Sequence, residues 1–288
     1  MQTNPSSSSV QPLLSRLLPT RREAGLVAAL ALLTLVAVLA PALPAHMGNA
    51  TRFADTRAWG AMPNALDVLT NLPFALIGAM GLHALSRLER VHEASWPRAA
   101  QSLPLNTLDC AWLFFAGLIA TAAASTFFHL QPDVLRLAAD RAGMAIACAG
   151  IVGVAVCERV SPRAGWPAAW FALGAGLLSV AIYHESGNVM PWAVVQFGSM
   201  ALLLGLAMSG GRRRGPPTLG LNLGAVVAIY AVAKLFELAD AQLFDATGGW
   251  VAGHAVKHVI AAAAALPVWL AVRDLTRPAT ARQSIRVR

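Results

Sequence analysis

The stretch GHAVKH, near the C-terminal end of the chain, holds His254 and His258. At four residues apart on an α-helix, two imidazoles share one face, about 6 Å apart along the axis, and can bind one metal ion. The residues between them are Ala, Val and Lys, so the glutamate base of an HExxH metalloprotease is missing. A second pair at the same spacing, Ser125 and His129, lies in ASTFFH. A third imidazole would complete the three-ligand set that leaves a catalytic zinc one open position. Asp140, in AADRAGM, adds a carboxylate that could move protons beside such a centre.

Each residue also has a plainer role open to it. Ser125 could bond back to a carbonyl of its own helix. Asp140 could cap a helix at a membrane mouth. Other costly groups accompany them. Lys234, Glu237 and Asp240 lie in KLFELADAQ, with Lys257 between the two histidines. These four are expected to form an intramembrane charge network, because ionisable side chains in lipid pair with one another. NALDVLTNLP adds Asn64, Asp67 and Asn71. The three cysteines have no CxxC spacing and read as small buried hydrophobes.

The elements that must position these groups are apolar. Hydrophobic residues make up 57% of the 288 and charged residues only 12%, against about a quarter charged in soluble domains. They fall into blocks of about 20, the length that spans a bilayer core. Eight blocks are expected, at 25–45, 66–86, 108–129, 140–158, 165–183, 189–209, 220–240 and 251–272. The fold class is all-α, a polytopic membrane helix bundle. The net charge of +8 does not point to nucleic acid, because the arginines lie between the blocks. With the N-terminus in the cytoplasm, sixteen of the twenty arginines fall on the inner side, which satisfies the positive-inside rule. Both termini are then cytoplasmic, and nearly all the intramembrane polar groups lie in the outer half. The pairs Ser125/His129 and His254/His258 run on antiparallel helices at matching depth, with His129 and His254 the shallower members.

The expected organisation begins with a disordered cytoplasmic tail, 1–24, and an N-terminal helix, 25–45. That helix could instead be a signal peptide, since a basic segment precedes it and ALPA follows it. A membrane domain at 50–272 and a basic cytoplasmic tail at 273–288 complete the chain. Two lysines against twenty arginines, with rich Ala and Gly, suggest a GC-rich bacterial genome and hence an inner-membrane location.

The order Ser-x3-His, then Asp on the next helix, then His-x3-His on the last helix resembles the alkaline ceramidase family. That family belongs to a superfamily of seven-helix membrane hydrolases that includes adiponectin-type receptors. The stretch from Phe53 to Gly78 is similar to the entrance to the family's first core helix. There an N-x-x-S-N-L pattern is usual, and here Asp67, Thr70, Asn71 and Leu72 stand at its positions. The resemblance covers about residues 50 to 272 and makes 25–45 an additional helix on a seven-helix ceramidase-like core. It implies that His129, His254 and His258 hold zinc, that Asp140 shuttles the proton of the zinc-activated water, and that Ser125 supports the developing oxyanion. The implied reaction is hydrolysis of ceramide or a related N-acyl lipid to a fatty acid and an amine. Sphingolipid metabolism is the family's setting, whereas a bacterial source makes other N-acyl lipids equal candidates. Eukaryotic members also bind calcium ahead of the first core helix. Asp55, Asn64 and Asp67 are the oxygen donors here, few against the six to eight that calcium takes, and a structural role is equally open to them.

Two other functions remain in view. A receptor-like or regulatory protein could keep the zinc site with little turnover. An ion or proton transporter could use Lys234, Glu237, Asp240 and Lys257, although such folds favour internal repeats and midplane sites, which the sequence lacks.

Overall fold

The computed structural model describes residues 18–44, 53–94, 105–210 and 218–276. Most of the two expected tails and the Arg212–Arg214 loop lie outside the described residues. The protein is an all-α bundle, and among the described residues there is no strand. Its helices are α1 (Arg21–Leu39), α2 (Ala65–Leu69), α3 (Leu72–Ala94), α4 (Leu105–Leu130), α5 (Val134–Arg159), α6 (Pro162–Ser186), α7 (Met190–Met208), α8 (Leu223–Leu238), α9 (Asp240–Ala246), α10 (Gly253–Ala263) and α11 (Leu266–Leu275).

Among the described residues, seven spans are long and apolar enough to cross a membrane: α1, α2 with α3, α4, α5, α6, α7, and α10 with α11. The eighth expected helix, α8, has only 16 residues, about 24 Å, yet it runs from the Glu158 end of the bundle to the histidine end and so carries the chain across as an eighth pass. Many large apolar side chains on the outside of the bundle, such as Leu35, Leu39, Trp170 and Phe197, are exposed. That pattern would be a liability in water and suits lipid. The protein is a helical membrane protein.

Helix α1 starts at Arg21, inside the tail expected to be disordered. The sequence T-x-x-E makes a capping box there: Glu23 N–H donates to Thr20 Oγ1 (3.2 Å), and Thr20 N–H donates to Glu23 Oε2 (2.8 Å). Glu23 also accepts from Ser161 and Arg163, which ties α1 to α6. Along its length α1 is peripheral, packed against α7 with most of its surface outward.

The heart of the bundle is the α4–α5 pair. Gly117, Gly143 and Gly150 let the two backbones approach so closely that an added Cβ at Gly150 would lie 2.3 Å from Phe114 N. Small residues at such contacts are how helices associate tightly where no hydrophobic force separates protein from lipid. At the bundle end away from the histidines, the Glu158 carboxylate accepts from the N–H groups of Leu219, Gly220 and Leu221 at 2.6 to 3.4 Å, fixing the start of α8.

Three spans are interrupted where the sequence reading expects continuity. Pro73 cannot donate to Leu69, and the chain breaks at Thr70–Asn71 between α2 and α3. Pro267 likewise accompanies the break at Ala264–Ala265 between α10 and α11. Helix α8 stops at Leu238, and α9 begins at Asp240. The first and last of these breaks adjoin the histidines.

Candidate metal centre

His129 enters from the last turn of α4, while His254 and His258 enter from the first turns of α10. The three rings converge. Their centroids lie 5.1 Å apart for His129–His254, 5.1 Å for His129–His258 and 4.8 Å for His254–His258. One nitrogen from each can be chosen so that all three lie within 4.8 Å of one another. His129 and His258 are buried, and His254 is half-buried. Such a cluster could hold a metal ion, as the matched depths predict.

The surrounding chain fixes the rings one by one. Gly253 sits against α8 and α9, where an added Cβ would meet Phe236 O at 2.2 Å, so only glycine admits α10 here. The N–H of His254 donates to Asp240 Oδ1 (2.7 Å), and the N–H of Ala54 donates to Asp240 Oδ2 (2.9 Å). Asp240 therefore anchors the start of α10 and the segment before α2. The ion pairs of the expected charge network run through the other three residues. Lys257 Nζ lies 3.2 Å from Glu237 Oε1, and Lys234 pairs with Glu237 Oε2.

On the α4 side, the backbone carbonyl of His129 accepts from Asn64 Nδ2 (2.8 Å). Asn64 holds a left-handed backbone, φ 46°, which asparagine tolerates better than most residues. Phe53 meets His129 at a tilt and His254 edge-on, each at 4.8 Å, and Phe128 lies 5.1 Å from His129.

Thr70, in the α2–α3 break, was not singled out as a site residue on its own chemistry. Its Oγ1 lies 3.1 Å from His258 Nδ1 and 2.7 Å from Leu66 O. With the hydroxyl proton on the carbonyl, the oxygen is left to accept from Nδ1–H, and the Asp67 backbone carbonyl is a second acceptor for the same ring. That tautomer leaves His258 Nε2 as the nitrogen free for a metal. Buried atoms without hydrogen-bond partners include His129 Nδ1, His254 Nε2 and both oxygens of Asp67. Buried polar atoms are ordinarily satisfied, so their concentration at one point fits a metal centre.

Ser125 and Asp140 also meet, their side chains interacting across the α4–α5 contact. Together with Lys234, Lys257 and His258 they line a cavity of about 160 Å³ whose other walls are mainly apolar, including Met144 and Trp192. Asp140 is not at a helix mouth. Helix α5 starts at Val134, capped by Asp133 Oδ1 accepting from Arg136 N–H (2.8 Å). Asp140 is thus the seventh residue of α5, about 9 Å along its axis. It does no capping, and its carboxylate is available to the cavity.

The three residues raised for calcium have separate engagements. Asp55 pairs with Arg57 (2.7 Å), Asn64 holds His129 O, and Asp67 faces His129. Arg57, donating from both its side chain and its backbone, holds the Asp55 carboxyl below the usual carboxylate range.

No protein-family model matches the chain, and neither a curated protein nor a solved structure matches it.

Proposed function

We propose that this protein is a zinc-dependent membrane amidase that hydrolyses ceramide or a related N-acyl lipid. The observation that carries the reading is one juxtaposition: His258, of the three-histidine cluster, lines the same apolar-walled cavity as Ser125 and Asp140. The residues fit zinc, which favours three or four nitrogen and sulfur donors in a tight shell. His129, His254 and His258 would hold the ion, with His258 using Nε2. When bound, zinc supplies a Lewis acid and lowers the pKa of its water to about 7.

The chain's own residues do the rest. Asp140 accepts the proton of the attacking water and returns it to the leaving amine. Ser125, whose hydroxyl meets Asp140 in the resting site, turns that proton to the oxygen on which charge develops. The apolar walls take the acyl chain, and an N-acyl lipid arrives with that chain already in the bilayer. Lys234 and Lys257, both paired with Glu237, give the cavity one polar wall for the head group.

The resemblance to alkaline ceramidases supports the substrate class. Sixteen inner arginines support an orientation with both termini cytoplasmic and the site toward the outer half of a bacterial inner membrane.

The test is fatty-acid release from ceramide and from other N-acyl lipids by the full chain in detergent, beside Asp140→Asn. Release by the wild type, reduced at least about 100-fold in the variant, supports the amidase. Stoichiometric metal with no release from any amide lipid would instead favour a receptor-like protein.

A further inference from the structure

The Asp67 carboxylate is 1% exposed, and neither of its oxygens has a hydrogen-bond partner. A charge so placed is costly unless something compensates it. Lys257 acts on it only through space, its direct ion pair being with Glu237 at 3.2 Å. Facing it is His129 Nδ1, itself buried without a partner, 3.8 Å from Asp67 Oδ2. Two groups, each lacking a partner, thus face each other across a short gap.

We infer that Asp67 is the positioning residue of the metal centre: it accepts from His129 Nδ1–H, fixes that tautomer and turns Nε2 toward the ion. This rests on the metal reading of the three histidines but not on hydrolysis. A metal-bound histidine commonly donates its other ring N–H to a carboxylate. The carboxylate also offsets part of the charge a divalent ion would bring among neutral imidazoles. Coordination by Asp67 itself is the weaker geometry. Among the described residues, the group whose donor atoms lie within 4.8 Å of one another is the three histidines, without Asp67.

The local chain is built to aim Asp67. The α2–α3 break leaves α2 one and a half turns long, and Asn71 Nδ2 donates to the Asp67 carbonyl at 2.9 Å. Thr70, three residues on and just past that short helix, serves His258. One five-residue segment and the residue after it therefore address two of the three histidines. The two contacts are complementary, with a hydroxyl on one ring and a carboxylate on the other.

The experiment uses the full chain in detergent and Co²⁺ as the probe, with affinity read by chelator competition and geometry by the d–d spectrum. Asp67→Asn should bind Co²⁺ about 10- to 100-fold more weakly. Its saturated spectrum and the thermal midpoint of its metal-free form should match the wild type. Equal affinity in variant and wild type would overturn the inference while leaving the metal centre standing. A changed spectrum at saturation would also overturn it, in favour of direct coordination. No Co²⁺ or Zn²⁺ binding by the wild type would remove the metal reading and the inference together. Should Asp67→Asn not fold, the wild type alone decides: nitrogen NMR of ¹⁵N-histidine in the Zn²⁺-loaded protein should show His129 protonated at Nδ1. Protonation at Nε2 instead would overturn the inference.

Discussion

Thr70 Oγ1 lies 3.1 Å from His258 Nδ1 while giving its own proton to Leu66 O. A residue from one broken span thereby dictates which nitrogen a residue on another span presents. Thr70→Val keeps the shape and removes the hydroxyl acceptor, leaving the ring the Asp67 carbonyl. Metal affinity should fall about tenfold, the low end for loss of an outer partner, with helix content unchanged. Chelator competition measures it, and Thr70→Ser should restore most of the loss.

Asn64 serves the other side of the site through its left-handed backbone and its bond to His129 O. Asn64→Gly keeps the backbone and loses the bond, at a cost of about 1–2 kcal/mol. Asn64→Ala adds the strain of a Cβ at positive φ, about 1 kcal/mol more. The expected order of thermal stability is wild type, then Gly, then Ala. A reversed order of the two variants would deny the backbone argument.

Gly253 sets how closely α10 meets α8 and α9. In Gly253→Ala the methyl would start 2.2 Å from Phe236 O and 2.8 Å from Asp240 Cα, both backbone atoms that cannot turn aside. The helix must move, at about 1–3 kcal/mol. The His254–Asp240 contact moves with it, so metal affinity should fall together with stability. Unfolding and chelator titrations on the same sample test the coupling.

The Asp55–Arg57 pair predicts a pH dependence of known sign. The folded carboxyl of Asp55 lies below its ordinary value, chiefly through hydrogen bonds from Arg57. Its contribution is therefore full above about pH 4 and is lost as pH falls through the lower folded value. Arg57→Gln should lower stability modestly at pH 7, because Arg57 is half-exposed, and the two curves should converge below pH 4. A gap that persists in acid would mean that the Arg57 contact to Trp250 O carries the effect.

The bundle was legible because lipid imposes long apolar blocks, and eight such blocks correspond to α1, α2–α3, α4, α5, α6, α7, α8 and α10–α11. The meeting of His129, His254 and His258 was legible too. Spacing by four fixes a helix face, and alternating topology fixes depth. What the residues could not announce is contact between distant segments. Asp133 rather than Asp140 caps α5, a choice made by side-chain geometry at the turn before the helix. Asp240 looks like a charge for a lysine, yet it accepts two backbone N–H groups from segments 186 and 14 residues away. Asp67 and Thr70 read as departures from a family pattern. Only the break at Thr70–Asn71, which depends on how α2 lies against α4 and α10, turns them toward the histidines. The signal that pointed there was Pro73, two residues beyond the break.

The central claim is that the three histidines hold one metal ion. The most direct measurement is elemental analysis of the purified full chain at pH 7 to 8, beside His258→Ala of equal helix content. One zinc per wild-type chain, with loss from the variant, is the predicted result. A folded wild-type protein that takes up no divalent metal, even from added Zn²⁺, would contradict the account.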